Sequence, residues 1–310
     1  MPIIEDLTTT HEIKLTHWSH SQDTSYRKCP MQWYRRAVLG LQPMLKSPPL
    51  HRGLSVHNAL EQFHTLSPRD RELDVLLHYY NGEYQSQRAP LLEHPLTTVE
   101  HVKTFDEWNT SIGIPTIYLL WDIYGKDEEI PALSYTELTL EVPLPGTDTV
   151  YQTRLDALVL NVSEPFIFET KTMSRDNRAQ YDQFDLQAPR NLWAVNNALE
   201  LFTPIRTLRY NFVVFPTKRN PGKVSRQDFT PSDAEILDAV ADLPYVVKEA
   251  QHPSKVIYKK WDKLCPWCEY YEIDKIEKFG GDPSEYVETQ FTVRENAPGT
   301  EEEGVEVDNE

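Results

Sequence analysis

The sequence predicts an α/β fold, a small mixed central β-sheet flanked by helices. Three observations lead there. The first 125 residues carry helical apolar spacing, residues 134–172 switch to the two-residue alternation of strands, and helix and strand patterns then alternate again to about residue 250. The chain has 310 residues, of which 39% are hydrophobic and 11% aromatic, enough for a sizeable core.

Residues 1–15 read as an extended lead-in, polar with early acids and unlike a secretory signal. A helix is expected from Ser19, where Ser19 and Gln22 have capping-box spacing, through Tyr26, Cys29, Trp33 and Tyr34 to about Ala37. Residues 51–66 form a second helical stretch with Leu54, Ala59, Leu60 and Phe63 as its apolar side. Residues 68–91 and 98–125 are mainly helical, with Trp108, Ile114, Tyr118 and Trp121 as core candidates. Strands are expected at 134–145, 150–160, 165–172 and 207–215, with a turn at 146–149. Between them, 177–202 is helical with a kink at Pro189. A basic turn-rich loop covers 217–226, and a helix runs from about Pro231 to Ala250. After about Asn296 the chain is acidic and expected to be disordered.

Charge and cysteine content narrow the classes. With 31 basic and 48 acidic residues the net charge is −17, which argues against non-specific coating of nucleic acid but leaves room for a local basic channel. No apolar run reaches the 18 residues of a membrane span, and three cysteines make no disulfide framework, so a cytoplasmic protein is expected. No phosphate-binding Gly-x-x-x-x-Gly-Lys-Ser/Thr motif is present, so the chain does not drive its own unwinding motor.

The chemistry concentrates on two neighbouring strands. Glu169 and Lys171 are two apart and project from one strand face, and the preceding strand can bring Asp156 beside Glu169. Two carboxylates with a nearby main-chain carbonyl make a hard-cation site, and a lysine beside it can orient water or stabilise charge on a phosphate. Taken alone, the same residues also fit a solvated strand face.

Several blocks in order raise that reading: Ser19-His20-Ser21 to Cys29-Pro30 and Tyr34; Arg52-Gly53 to His57 and Glu61; Leu155-Asp156 with Phe168-Glu169-Thr170-Lys171-Thr172; Gln187; and Cys265-Pro266-Trp267-Cys268. Over roughly residues 15–275 the chain resembles the RecB-like branch of the PD-(D/E)XK nucleases, the group that includes the AddB nuclease domain and CRISPR-associated RecB-like exonucleases. The resemblance implies a restriction-endonuclease-like core at about 134–215 within a single domain, 1–295. A helical region would occupy about 16–125, and a cysteine knuckle would join Cys29 to 261–275. It implies that Asp156, Glu169 and the Thr170 carbonyl hold Mg²⁺ or Mn²⁺, with His57 as a further ligand that favours Mn²⁺. Lys171 would be catalytic. Position alone leaves His57 open to a plainer role as a hydrogen-bonded surface histidine.

Two places depart from the family pattern: Thr153 stands where a glycine is usual, and Asn191 where the tyrosine of Gln-x-x-x-Tyr is usual. In the relatives an early cysteine and three late ones hold a [4Fe–4S] cluster. Here the fourth position is Asp274, so Cys29, Cys265, Cys268 and Asp274 could hold iron–sulfur or zinc, or the cysteines could simply be buried. Gln187, Arg52, Lys218 and Arg219 are candidate phosphate contacts, joined by Arg27, Lys28, Arg35, Arg36, Lys223 and Arg226, with Trp33 as a base-stacking candidate. The implied activity is a metal-dependent exonuclease on DNA ends or single strands, serving recombination, repair or phage DNA processing in a prokaryotic cell or phage-infected host. A separate helicase or recombination protein would be its partner. The alternative is a non-catalytic DNA-end-binding or scaffolding subunit.

Overall fold

A computed structural model describes residues 13–44, 48–176, 185–252, 259, 265 and 268–294, with the side chains of 48–52 outside it. The lead-in before residue 13, the tail from 296, Pro266, Trp267 and the Arg52 side chain therefore lie outside the described residues.

In chain order the elements are β1 (His17–Trp18), α1 (His20–Lys28), α2 (Pro30–Trp33, continued by a π-turn over Tyr34–Val38), β2 (Leu41–Pro43), α3 (Pro48–Thr65), α4 (Leu73–Glu93), α5 (Val99–Trp108), α6 (Ile114–Tyr124), β3 (Tyr135–Pro143), β4 (Val150–Val159), β5 (Phe166–Met173), α7 (Gln187–Ala198), β6 (Thr207–Val214), β7 (Lys223–Phe229), α8 (Asp233–Ala241), α9 (Leu243–Gln251), α10 (Tyr271–Lys278), α11 (Ser284–Gln290) and β8 (Phe291–Val293). Among the described residues no helix is long and apolar enough to cross a membrane.

The first helix is shorter than expected. Ser19 caps it, its side chain accepting from the Gln22 N–H at 3.2 Å, but Cys29 turns extended before Pro30, as a residue preceding proline tends to. Pro189 makes no kink, because it lies in the first turn of α7, where no intrahelical N–H bond is required. The expected basic loop after β6 narrows to a turn at 217–220, and the chain returns as β7.

The chain divides into two compact units. The larger, Leu45–Val142 with Thr153–Val240, holds the sheet order β3-β4-β5-β6-β7. In it β4 and β5 are antiparallel, β5 and β6 parallel, and β6 and β7 antiparallel. One apolar cluster packs α7 on the sheet through Leu155, Ile167, Leu192, Val195 and Phe212. Another joins α3, α4 and α6 to Val213 and Val224. Trp108 belongs to that second core, whereas Tyr118 is 45% exposed. The smaller unit comprises Met1–Met44, Pro143–Gln152 and Ala241–Glu310. In it β1 runs parallel to the first residues of β4, and β2 pairs antiparallel with β8 over a core of Leu41, Tyr270, Ile273 and Phe291.

Candidate active site

The site forms where β4 and β5 part. Their pairing runs from Val159–Phe166 to Ala157–Phe168 and goes no further. The Thr170 N–H has no ladder partner there, and the Asp156 carboxylate takes it instead, Oδ2 accepting at 2.7 Å. The same Oδ2 lies 2.8 Å from His57 Nε2.

Helix α3 delivers that imidazole. Gly53, His57 and Glu61 are four apart and share one helix face. A Cβ at Gly53 would sit 2.8 Å from Thr172 Oγ1 on β5, so only glycine lets the helix approach this closely.

Glu169 and Lys171 project to the α7 side of β5. The Lys171 ammonium donates to Glu169 Oε1 and to Gln187 Oε1, both at 2.8 Å. The Gln187 amide Nε2 closes the ring, donating to Glu169 Oε1 at 3.0 Å. Glu169 is 3% exposed, and its second oxygen, Oε2, is buried without a hydrogen-bond partner. A buried anionic oxygen left open in this way fits a cation, and the donor set of carboxylates, carbonyl and imidazole suits Mg²⁺ or Mn²⁺.

Two residues that sequence reasoning missed hold this ring. Asp185 Oδ1 accepts the Gln187 N–H at 2.9 Å, and its Oδ2 accepts from the Tyr210 hydroxyl at 2.5 Å. Tyr210 pairs with Glu169 across the β5–β6 ladder, and Lys171 Nζ lies 5.9 Å from the centre of its ring. An aspartate two residues before a helix start is a legible capping signal, but the link through Tyr210 needs the strand register.

The two departures from the family pattern meet. Thr153 Oγ1 donates to Asn191 Oδ1 at 2.8 Å, both residues being buried. Asn191 therefore packs α7 on β4.

Beyond Asp156 opens a cavity of about 860 Å³ with Glu61, Glu83, Glu137 and Arg154 on its walls. His57, Glu61 and Glu137 present ligand atoms all within 4.8 Å of one another, the one such group of three among the described residues. Glu137 reaches it from β3 with φ +48°, a left-handed backbone unusual inside a strand. The negative field and the burial of the site raise the proton affinity of its groups. Burial opposes charging His57, but the Asp156 hydrogen bond and the nearby carboxylates outweigh it and push the imidazole up to about 9. Burial, with Asp156 nearby, raises the Glu169 carboxyl despite Lys171, and burial also raises Glu137.

Other expected contacts are placed elsewhere. Lys218 and Arg219 are exposed in the 217–220 turn. Arg226 is not on the surface: it pairs with Asp127 at 2.5 Å and stacks 3.7 Å over Tyr124. In the smaller unit Arg35 is buried against Asp274 at 2.6 Å and Glu277 at 2.9 Å. Trp33, the base-stacking candidate, is 1% exposed. The thiols of Cys29, Cys265 and Cys268 are half-buried, and burial, with Asp274 and Cys29 nearby, raises Cys268. They do not gather within 4.8 Å, whereas tetrahedral zinc, with Zn–S near 2.3 Å, holds its thiolates about 4 Å apart. Asp274 Oδ1 also faces Lys259 at 3.1 Å, so two cations already hold the expected fourth ligand.

The family model of the PD-(D/E)XK nuclease superfamily matches residues 17–273, and the chain belongs to that superfamily. No curated protein matches the chain. Among solved structures, SSO0001 shares 14% identity over 69% of this chain and 83% of that one, with a TM-score of 0.29. A protein from Eubacterium rectale, described as a candidate exonuclease, shares 10% identity over 70% of this chain and 94% of that one, with a TM-score of 0.33.

Proposed function

We propose that the protein is a metal-dependent deoxyribonuclease that trims linear or single-stranded DNA from its ends. The single observation that carries this is the buried, unpartnered Glu169 Oε2 beside the Asp156–His57 pair and the Lys171–Gln187 ring. The PD-(D/E)XK family points to DNA as substrate, and a divalent cation held by Asp156, Glu169, the Thr170 carbonyl and His57 would supply Lewis-acid polarisation of the scissile phosphate. The chain's own groups do the rest. Gln187 locks the Lys171 ammonium against Glu169, so a positive charge stands ready where phosphate charge develops. A role in recombination, repair or phage DNA processing, alongside a separate helicase or recombination protein, follows from the resemblance to RecB-like enzymes.

The test is digestion of end-labelled single- and double-stranded DNA with Mg²⁺ or Mn²⁺. Lys171→Ala is expected to lose about 10²-fold or more, the scale of one removed electrostatic or acid–base group. Equal activity in parent and variant would place the chemistry elsewhere. For the cysteines the iron–sulfur reading stands ahead of zinc, following the resemblance to RecB-like enzymes. Iron and zinc analysis of anaerobically purified protein, with its visible absorbance, decides it.

A further inference from the structure

The smaller unit contains a cavity with the opposite character to the acidic one. It measures about 200 Å³, and its walls include Ser19, Ser21, Ser25, Trp33, Arg36 and Arg294. A histidine, two glutamines and an alanine complete it, and no carboxylate is among the described lining residues. In a chain of net charge −17 that composition is selective for an anion.

Three features build the pocket. Ser19 caps the nine-residue α1, so the open N–H groups of the first helical turn lie at its edge. Trp33, 1% exposed, is fixed with its ring centre 5.6 Å from Trp18 and 5.1 Å from Tyr26, and its indole N–H has no acceptor. Ser25 Oγ is also buried without a partner. Trp33 and Ser25 both line the cavity, so these unmatched polar atoms lie close behind its wall, where a small side-chain shift lets them donate to an acceptor-only ligand. The acids nearby are committed elsewhere or held loosely. Asp23 pairs with Arg27 at 2.8 Å, and Glu269 approaches Arg36 only to 3.9 Å across partly exposed surface.

We propose that this pocket binds a phosphate group of the nucleic-acid strand, giving the smaller unit a backbone handle distinct from the cleavage site. Arg36 supplies the planar fork that matches phosphate oxygens, Arg294 adds its charge while its Nε and Nη2 face the Gln42 amide oxygen at 2.8 and 2.9 Å, and the serine hydroxyls complete the shell. The volume is below the ~300 Å³ at which small-molecule sites begin, so it takes one phosphate and part of its sugar, not a whole nucleotide. The proposal takes the nature of its ligand from the nuclease reading. Its phosphate source is either a strand terminus or an internal phosphodiester.

The experiment measures fluorescence anisotropy of labelled single-stranded oligonucleotides in EDTA, one set with a 5′-phosphate and one with a 5′-hydroxyl. The parent is compared with Arg36→Ala/Arg294→Ala and with Ser25→Ala, which leaves the charge unchanged. Arg69→Ala/Lys103→Ala removes two exposed cations outside the pocket and controls for general electrostatics. Affinity is expected to fall about tenfold or more in the arginine pair, measurably in Ser25→Ala, and clearly less in the control. A fall confined to the 5′-phosphorylated strand assigns a terminal phosphate, and an equal fall assigns an internal one. Equal losses in the arginine pair and the control, an unchanged arginine pair, or no binding by the parent would overturn the pocket. Because EDTA stops metal-dependent cleavage, these outcomes do not depend on Lys171. A parent that binds but never cuts would instead overturn the nuclease reading.

Discussion

Thr153→Val removes one hydroxyl while keeping the shape of the side chain. The hydroxyl donates to Asn191 Oδ1 at 2.8 Å, where Thr153 is 8% exposed and Asn191 0%. Without it the amide oxygen is buried with no donor, in a residue whose Nδ2 already lacks a partner. An orphaned buried group costs about 1–3 kcal/mol, and in a protein of 310 residues each kcal/mol lowers Tm by about 1–2 °C. Urea denaturation should therefore show a lower midpoint with an unchanged slope. The decisive assay is the double-mutant cycle with Asn191→Ala. Once either partner is gone the other has nothing left to lose, so the two effects should fall short of additivity by about 1 kcal/mol. Nuclease activity should stay near that of the parent, because Asn191 binds Thr153. Additivity to within about 0.3 kcal/mol would refute the idea that the two departures from the family pattern compensate one another.

Gly53→Ala should depress activity by forcing α3 away from Thr172 Oγ1, and adding Thr172→Ala should restore part of it; no rescue in the digestion assay would put the fault elsewhere. Tyr210→Phe and Asp185→Asn should each lower the rate, and together no more than either alone, since both act through Gln187. Stability should fall in acid. Burial would raise the Asp127 carboxyl, but His64 and Arg226 outweigh it and hold it down at about 2. A depressed carboxyl contributes fully above its unfolded value of 3.8, and that contribution, about 2 kcal/mol, is lost as pH falls from about 4 towards 2. Urea midpoints of the parent and of Asp127→Asn across that range test this, the variant having the flatter profile.

What the sequence disclosed follows from the reach of its signals. Strands β3 to β6 were legible because each alternates or runs apolar over seven or more residues, and Glu169-x-Lys171 could be placed on one face by the period of two. β1, β2 and β8 have two or three residues each, too few to carry a period. β7 was hidden because KVSRQDF is mostly polar, in keeping with a strand paired only with β6 at the edge of the sheet. The charged residues mislead in a consistent direction. Arg226 and Arg35 look like surface cations in the sequence, yet each is internal because its carboxylate partner lies 99 or 239 residues away. A lone buried guanidinium would be prohibitive, so burial depends on a partner that no local window contains. The same argument runs through the site. Asp156, Glu169 and Lys171 could be grouped because neighbouring strands put them together. Asp185 and Tyr210 could not, since their bond needs the helix start and the β5–β6 register at once. Local chemistry thus marks the reacting groups, while the residues that hold those groups in place become visible only when the chain is folded.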